Sequence, residues 1–386
     1  MKNYDVIVIG VGSMGAAACY WLSKRGHHVL GLEQFDIPHE QGSHAGQSRI
    51  IRKAYFEHLD YVPLLHRAYE NWKQLEKETG TQHFFKTGLL YHGPSTHAMI
   101  KGVREAALKN NIRLDNLKDQ QKEPKNFQFN IPQNFESIFE PDAGFIRPEK
   151  AVTLYKEEAI KAGAEIHTKE TVLAWKKEND GIKVTTDKST YHASKLIITA
   201  GAWAGKMIPQ LKSSLKITRQ LIVWVKPKDE KLFAPDRFPC WMAADDKRDG
   251  VLYGFPYLTK KEFGEPEGLK FAWHHPAEET NPDHVNRIIS KEEIEKLIQQ
   301  VAEYIPAVAE ADIVAAKTCL YTNTADENFI IDYLPGYEKD VTIACGFSGH
   351  GFKFVSVVGE ILADLAIKGK TSQPIDFLRL RRFQKS

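Results

Sequence analysis

A chain of 386 residues with 42% hydrophobic content can bury two or three cores of about 150 residues each. Its 52 basic and 50 acidic residues leave a formal charge of +2, interspersed rather than blocked, which argues against nucleic acid as a partner. No apolar run approaches the ~18 residues that span a bilayer, a strand begins by Tyr4 where a secretory leader would stand, and Cys19, Cys240, Cys319 and Cys345 are too scattered for a zinc site or a disulfide framework; a cytoplasmic protein with no membrane partner and no metal is expected.

The first element, residues 6–15, reads VIVIGVGSMG, a β-branched run that stops at Gly10 and is followed by Gly12 and Gly15. Glu33 ends the next apolar run, VLGLE. A buried strand, a tight glycine turn, a helix start and an acidic residue about 20 positions on are the parts of a dinucleotide-binding βαβ unit. Gly10 permits the turn, Gly12 lets backbone amides approach a pyrophosphate, and Gly15 lets the helix AAACYWLSK lie close to the sheet. The helix N-terminus turns its partial positive charge to the phosphates. Glu33 is placed to accept from a ribose hydroxyl.

Next, GSHAGQSRIIRKAY (42–55) mixes glycine, histidine and basic residues and reads as a loop passing into a short helix. Helical spacing covers 59–78, a strand covers 85–92, and helices are expected near 97–110 and 147–162. From 167 to 205 short strands alternate with turns at Asn179-Asp180-Gly181 and Asp187-Lys188, ending in LIITAG, whose glycine predicts a second close approach to the cofactor. Residues 215–280 are rich in strands and aromatics (LIVWV, WMAA, VLYGFPY, LKFAWHH), fit to roof a substrate pocket, and a helix follows at 291–304. The end returns to the early style, with FIIDYLP and then VTIACGFSGHGFKF running into the apolar helix VSVVGEILADLAIKG. Glycine-rich strand-to-helix turns at both ends imply that the termini converge on one nucleotide-binding sheet.

Taken in order, GVGSMG, GSHAGQSRIIRKAY, LIITAGAW, YGFP, GLKFAWH, KTCLYT, FIID and GFSGHGFKF resemble the monomeric sarcosine oxidase family of flavoenzymes, which also holds N-methyltryptophan and pipecolate oxidases. The likeness runs almost end to end. It implies an α/β fold in which a Rossmann-like FAD-binding domain is built from both chain ends (1–90, 147–210 and 315–386) around an inserted β-rich substrate domain (91–146 and 211–314). It further implies a monomer that oxidises a secondary amine bearing a carboxylate, with O2 as the other substrate.

Such a substrate needs a cationic clamp. Arg52 and Lys353 suit it, because a guanidinium binds a carboxylate bidentately and a lysine adds a point charge. Read alone they would be a surface ion pair and a solvated helix residue; the resemblance makes them the clamp. The glycines of GFSGHGFK (Gly346, Gly349, Gly351) present bare amides to the flavin, with Gly349 also beside substrate, and His350 between them contacts the cofactor or serves structure. The resemblance assigns Ser13, Met14, Gly42, Ser43, Ser48, Arg49, Gly201, Trp203 and Phe352 to FAD as well, and Arg49 also to catalysis. Cys319, otherwise read as a buried core cysteine, matches the residue that links covalently to the flavin 8α position. Tyr321, two residues on along the same strand face, would join Tyr253 and Met242 as a wall around the N-methyl ammonium. Lys270 and His274, four apart on one strand face, match an oxygen-activating lysine and a histidine near the substrate amine; His275 points away.

The 42–55 segment departs from the family form GSHHGDTRIIRHAY. Ala45 replaces a histidine, Gln47 an aspartate, Ser48 a threonine and Lys53 a histidine, and the lost histidine bears on how completely the flavin bond forms. Phe56 and His58 stand where family members have glycines in a mobile loop, implying a stiffer or bulkier lid. Sarcosine is the expected substrate, with a bulkier or cyclic secondary amino acid as the alternative. The opening motif alone also permits a nicotinamide-dependent dehydrogenase, and a silent flavin-binding protein is a third reading.

Overall fold

The computed structural model describes residues 3–117 and 128–383. Its first sheet is built from both ends of the chain. Asn3–Ile9 lies at the centre, parallel to Val29–Leu32 on one side and to Thr190–Ile198 on the other. Glu165–His167 extends the sheet beyond Val29–Leu32. Thr190–Ile198 carries antiparallel Gly181–Thr186 along its first half and parallel Val341–Cys345 along its second. The β-branched run explains this position. Val6 and Val8 bury one face under helices while Ile7 and Ile9 bury the other, as a parallel strand covered on both faces requires.

Two helices seal the first of these faces. Ser13–Lys24 buries ten of its 12 residues, among them three consecutive alanines, so it can pack on all sides. It meets Val355–Lys368 at Gly359, where a Cβ would stand only 2.5 Å from that of Ala17. The N-terminal and C-terminal glycine-rich turns thus open into helices that touch.

The second sheet runs in the order Asp312–Asn323, Lys216–Lys226, Gly268–His274, Val251–Leu258, Cys240–Ala243, Leu89–Pro94, Phe135–Glu140, Asp115–Asn116. Its pairs are antiparallel except Cys240–Ala243 with Leu89–Pro94. Leu89–Pro94 and Asp312–Asn323 pair wholly within this sheet, so its membership crosses the sequence-based limits at 90 and 315. Register brings Met242 opposite Tyr253, Tyr253 opposite Ala272, Lys270 opposite Trp224 and Cys319 opposite Gln220.

The helices expected from spacing are found at Tyr61–Thr79, Ala98–Asn110, Pro148–Lys161 and Lys291–Ala302. The short helix expected within 42–55 is not. Residues Arg49–Ile51 form a strand instead, because the β-branched pair Ile50-Ile51 finds a partner in Gly144–Ile146. Among the described residues no helix is long and apolar enough to cross a membrane.

Candidate active site

One cavity of about 950 Å³ runs between the two sheets, from Gly12 and Glu33 at one end to Tyr253, His274 and Tyr321 at the other. At the first end Gly10 has φ +87°, and a Cβ there would sit 2.7 Å from the Thr199 carbonyl oxygen. At Gly15 a Cβ would stand 2.0 Å from the Gly10 oxygen, so this glycine serves the close fit of helix on strand and lies outside the cavity wall. Gly12 differs. A Cβ there would meet only His44 Nδ1, at 4.0 Å, and the residue opens onto the cavity.

The helix that follows, Ser13–Lys24, has no capping side chain and no acidic residue in its first turn. Its leading amides therefore remain available to an anion. Glu33 accepts from the Val11 amide at 2.9 Å and the Phe35 amide at 3.1 Å. Burial pushes its carboxyl up to about 7, against the pull of those amides. Ser13, Met14, Gly42, Ser43, Gly201 and Trp203 lie along this half of the wall.

Between the ends, Arg49 lines the cavity and donates to the carbonyls of Ser43, Ala45 and Ser48, tying the 43–48 loop into a ring. Glu149 accepts from the Gly46 amide at 2.6 Å and the Gln47 amide at 3.0 Å. Gln47, left-handed at φ +68°, donates to the carbonyls of Gly264 and Pro266 and accepts from the Trp224 indole. This amide, standing where the related motif has an aspartate, ties the loop to the second sheet.

At the far end Tyr321 and His274 face each other, the phenol oxygen 3.4 Å from Nδ1. Burial holds the His274 imidazole down to about 4, so it is neutral near pH 7. Met242 and Tyr253 line the same end. Gly349 has φ +77°, and a Cβ there would fall 2.3 Å from the Tyr321 ring; its absence is what admits that ring. Gly346 and Gly351 are likewise filled against Thr324 and Phe347, so the C-terminal glycines pack tightly as well as lining the cavity. His350 is fixed between the Tyr55 hydroxyl at Nδ1, 2.5 Å away, and the Glu327 carbonyl at Nε2, 3.0 Å away. Phe352 lines the wall beside it.

Arg52 and Lys353 both reach this end, and both are buried. The Lys353 ammonium donates to the His350 carbonyl at 2.8 Å, and burial, reinforced by Arg52, lowers its basicity to about 7. Arg52 donates to the Ala54 carbonyl and to Glu57 Oε1. Burial works against the Glu57 charge, but Arg52, His350 and Lys353 overcome it and hold the carboxyl below its ordinary range.

Residues 5–365 match the family model described as FAD dependent oxidoreductase. The chain belongs to that family. The monomeric sarcosine oxidase of Streptomyces avermitilis is 38% identical over 383 residues, covering 98% of each chain. The N-methyl-L-tryptophan oxidase of Salmonella dublin is 33% identical over 392 residues, covering 99% of each. Among solved structures, NikD, an unusual amino acid oxidase essential for nikkomycin biosynthesis, shares the fold at TM-score 0.85 and 24% identity over 98% of each chain. L-Proline dehydrogenase from P. horikoshii does so at 0.83 and 23%, covering 99% and 98%.

The protein is thus a flavoprotein oxidase acting on CH–NH donors, with the α/β fold of its family. Its cavity fits FAD: the open Gly12, the uncapped helix and Glu33 form a cradle for the adenosine diphosphate half, and the long continuation toward Tyr253 leaves room for the ring system. Among the described residues no cluster of three or more His, Cys, Asp or Glu side chains could hold a metal ion.

Besides Gly15, three residues expected at the site lie behind its wall rather than on it. Cys319 is buried with Ile222, Trp224, Ala272 and Tyr321, and burial raises its thiol. Lys270 is fully buried and donates to the Gly46 and Ser48 carbonyls, each at 2.6 Å, and to the Ser48 hydroxyl at 3.2 Å. Burial, followed by the charge of Arg49, holds its ammonium well below the ordinary lysine range. Ser48, buried itself, serves as acceptor for that lysine. His275, expected to point away, sits on the cavity wall with its ring 3.9 Å from that of Trp273.

Sequence reasoning missed Glu57 and Tyr55. Glu57 was legible only as an acidic residue five positions after Arg52, a spacing that suggests nothing until the loop folds back. Tyr55, fully buried between Arg52 and His350, reads as an ordinary core aromatic.

Proposed function

We propose that the protein oxidises an N-methyl amino acid, with sarcosine as the leading substrate, so that sarcosine, O2 and water give glycine, formaldehyde and hydrogen peroxide. The observation that carries this reading is the meeting, in one cavity, of a dinucleotide cradle with two buried cations beside an aromatic and thioether wall.

When bound, FAD would supply the two-electron acceptor for the substrate C–H bond and the reductant for O2. Arg52 and Lys353 bind the substrate carboxylate, the guanidinium through two parallel donors and the lysine as a point charge. Tyr253, Tyr321 and Met242 enclose the amine end, the rings favouring positive charge over their faces. His274, neutral by burial, orients the amine by hydrogen bonding. Amides of the Gly346–Gly351 turn would favour negative charge developing on a bound flavin. Lys270 is the proposed oxygen-side lysine, acting from behind the 46–48 carbonyls that it holds. Cys319 is the proposed point of covalent attachment. A monomer located in the cytoplasm belongs to the same proposal.

Peroxide release from sarcosine, N-methyltryptophan and pipecolate tests the substrate. Turnover of sarcosine is expected; none, beside strong turnover of a bulkier compound, moves the substrate to that class. Acid precipitation tests the bond. A yellow pellet is expected, and a colourless one with yellow supernatant would leave FAD bound without a thioether.

A further inference from the structure

The segment 56–58 is fixed at each of its three residues by a different element. Phe56 packs on the helix Ala98–Asn110: a Cβ at Gly102 would stand 2.7 Å from the Phe56 Cβ and 3.0 Å from its Cα. Glu57 pairs with Arg52. His58 stacks on Phe377 with ring centres 5.0 Å apart and planes 8° from parallel. A loop so anchored cannot swing aside for a large ligand without losing all three contacts.

Phe56 also reaches the cavity. Its ring centre lies 4.4 Å from the Arg52 guanidinium carbon, and that of Tyr55 lies at 4.3 Å. Arg52 is 2% exposed, so these rings replace the water that would otherwise surround the cation. They also limit the planes its fork can take, and a fork that cannot turn fixes where a bound carboxylate must lie.

We propose that Phe56 is the specificity-determining residue of the substrate end: its ring sets the bulk of carboxylate that fits beside Arg52 and holds the guanidinium in register with it. This rests on the reading of Arg52 as the carboxylate clamp. Gly102 is the positioning residue behind it. It lies off the cavity wall, and the contact it permits decides how far the Phe56 ring protrudes.

The test is calorimetric titration of flavin-loaded protein with acetate, benzoate and indole-3-acetate, comparing the wild type with Phe56→Ala, Phe56→Leu and Gly102→Ala. The wild type is expected to bind acetate at least about tenfold more tightly than indole-3-acetate, a discrimination within reach of one hydrophobic wall. Phe56→Ala is expected to erase that preference while weakening acetate, and Phe56→Leu to fall between. Gly102→Ala, by pressing the ring inward, is expected to weaken the aromatic acids by about tenfold more than acetate. An unchanged size ranking in both Phe56 variants overturns the inference while leaving the clamp intact. Failure of the wild type to bind any of the three acids overturns the clamp reading as well. Should Phe56→Ala not fold, the leucine variant decides alone.

Discussion

Arg52 donates to the carboxylate of Glu57 at 2.5 Å inside the cavity wall, so the cation best suited to clamp an incoming carboxylate already holds one from its own loop. The other Glu57 oxygen is buried without a hydrogen-bond partner. The internal anion stabilises an otherwise uncompensated buried cation, and it also competes with any ligand for it.

Replacing Glu57 by glutamine removes the competitor and keeps an acceptor for Arg52. Acetate should then bind the flavin-loaded protein about tenfold more tightly. The ligand-free protein should lose about 1–3 kcal/mol, because an ion pair becomes a hydrogen bond from a buried cation to a neutral amide. Calorimetric titration and thermal melts with and without acetate measure both. Equal acetate affinity in the two proteins would show that Glu57 does not compete for the clamp.

Gly12 and Gly15 belong to one motif but act differently. A Cβ at Gly15 collides with the Gly10 oxygen, whereas one at Gly12 points into open cavity. Gly15→Ala should therefore fold poorly. Gly12→Ala should fold with a near-normal circular dichroism spectrum and melt, yet be purified with less than about a tenth of the bound flavin, since the methyl takes the room of a pyrophosphate oxygen. Wild-type flavin content in Gly12→Ala would contradict the cradle.

Gly349→Ala places a methyl within the Tyr321 ring and asks a left-handed backbone of alanine. The combined strain should cost about 2–4 kcal/mol in denaturant unfolding. Displacement of the ring should also raise KM more than it lowers kcat if, as proposed, Tyr321 encloses the substrate amine. A change in kcat alone would exclude that role.

The sequence made the centre of the first sheet legible because its parallel strands end in apolar runs closed by glycine, and Gly10 and Gly15 have steric reasons that survive in the structure while Gly12 leaves room in the cavity. Register also followed: Lys270, Ala272 and His274 share one face, as period-two alternation demands. What stayed hidden depends on how the chain folds back on itself. No local pattern says that Lys270 spends its donors on two carbonyls more than 200 residues away, or that Glu57 returns to Arg52. The helix expected within 42–55 failed for the same reason, since Ile50 and Ile51 take their conformation from Gly144–Ile146.

Buried histidines make the fold sensitive to acid. His92 lies on the strand Leu89–Pro94, away from the cavity wall, with Nδ1 2.9 Å from the Ser137 hydroxyl and Nε2 without a partner. Burial lowers its basicity from 6.5 to about 3, and His44 and His350 are held to about the same value. Between these limits the unfolded chain binds a proton that the native chain refuses. Stability is therefore fully present above pH 6.5 and falls as the pH drops toward 3, at about 1.4 kcal/mol per pH unit for each such histidine. His92→Asn preserves a polar group opposite Ser137 and removes one titration. Urea unfolding at about pH 7, 6 and 5 should show the variant losing stability less steeply than the wild type, by about 1.4 kcal/mol per unit below the midpoint of free histidine. Parallel slopes would mean that His92 accepts its proton in the folded state, and that burial alone does not keep it neutral.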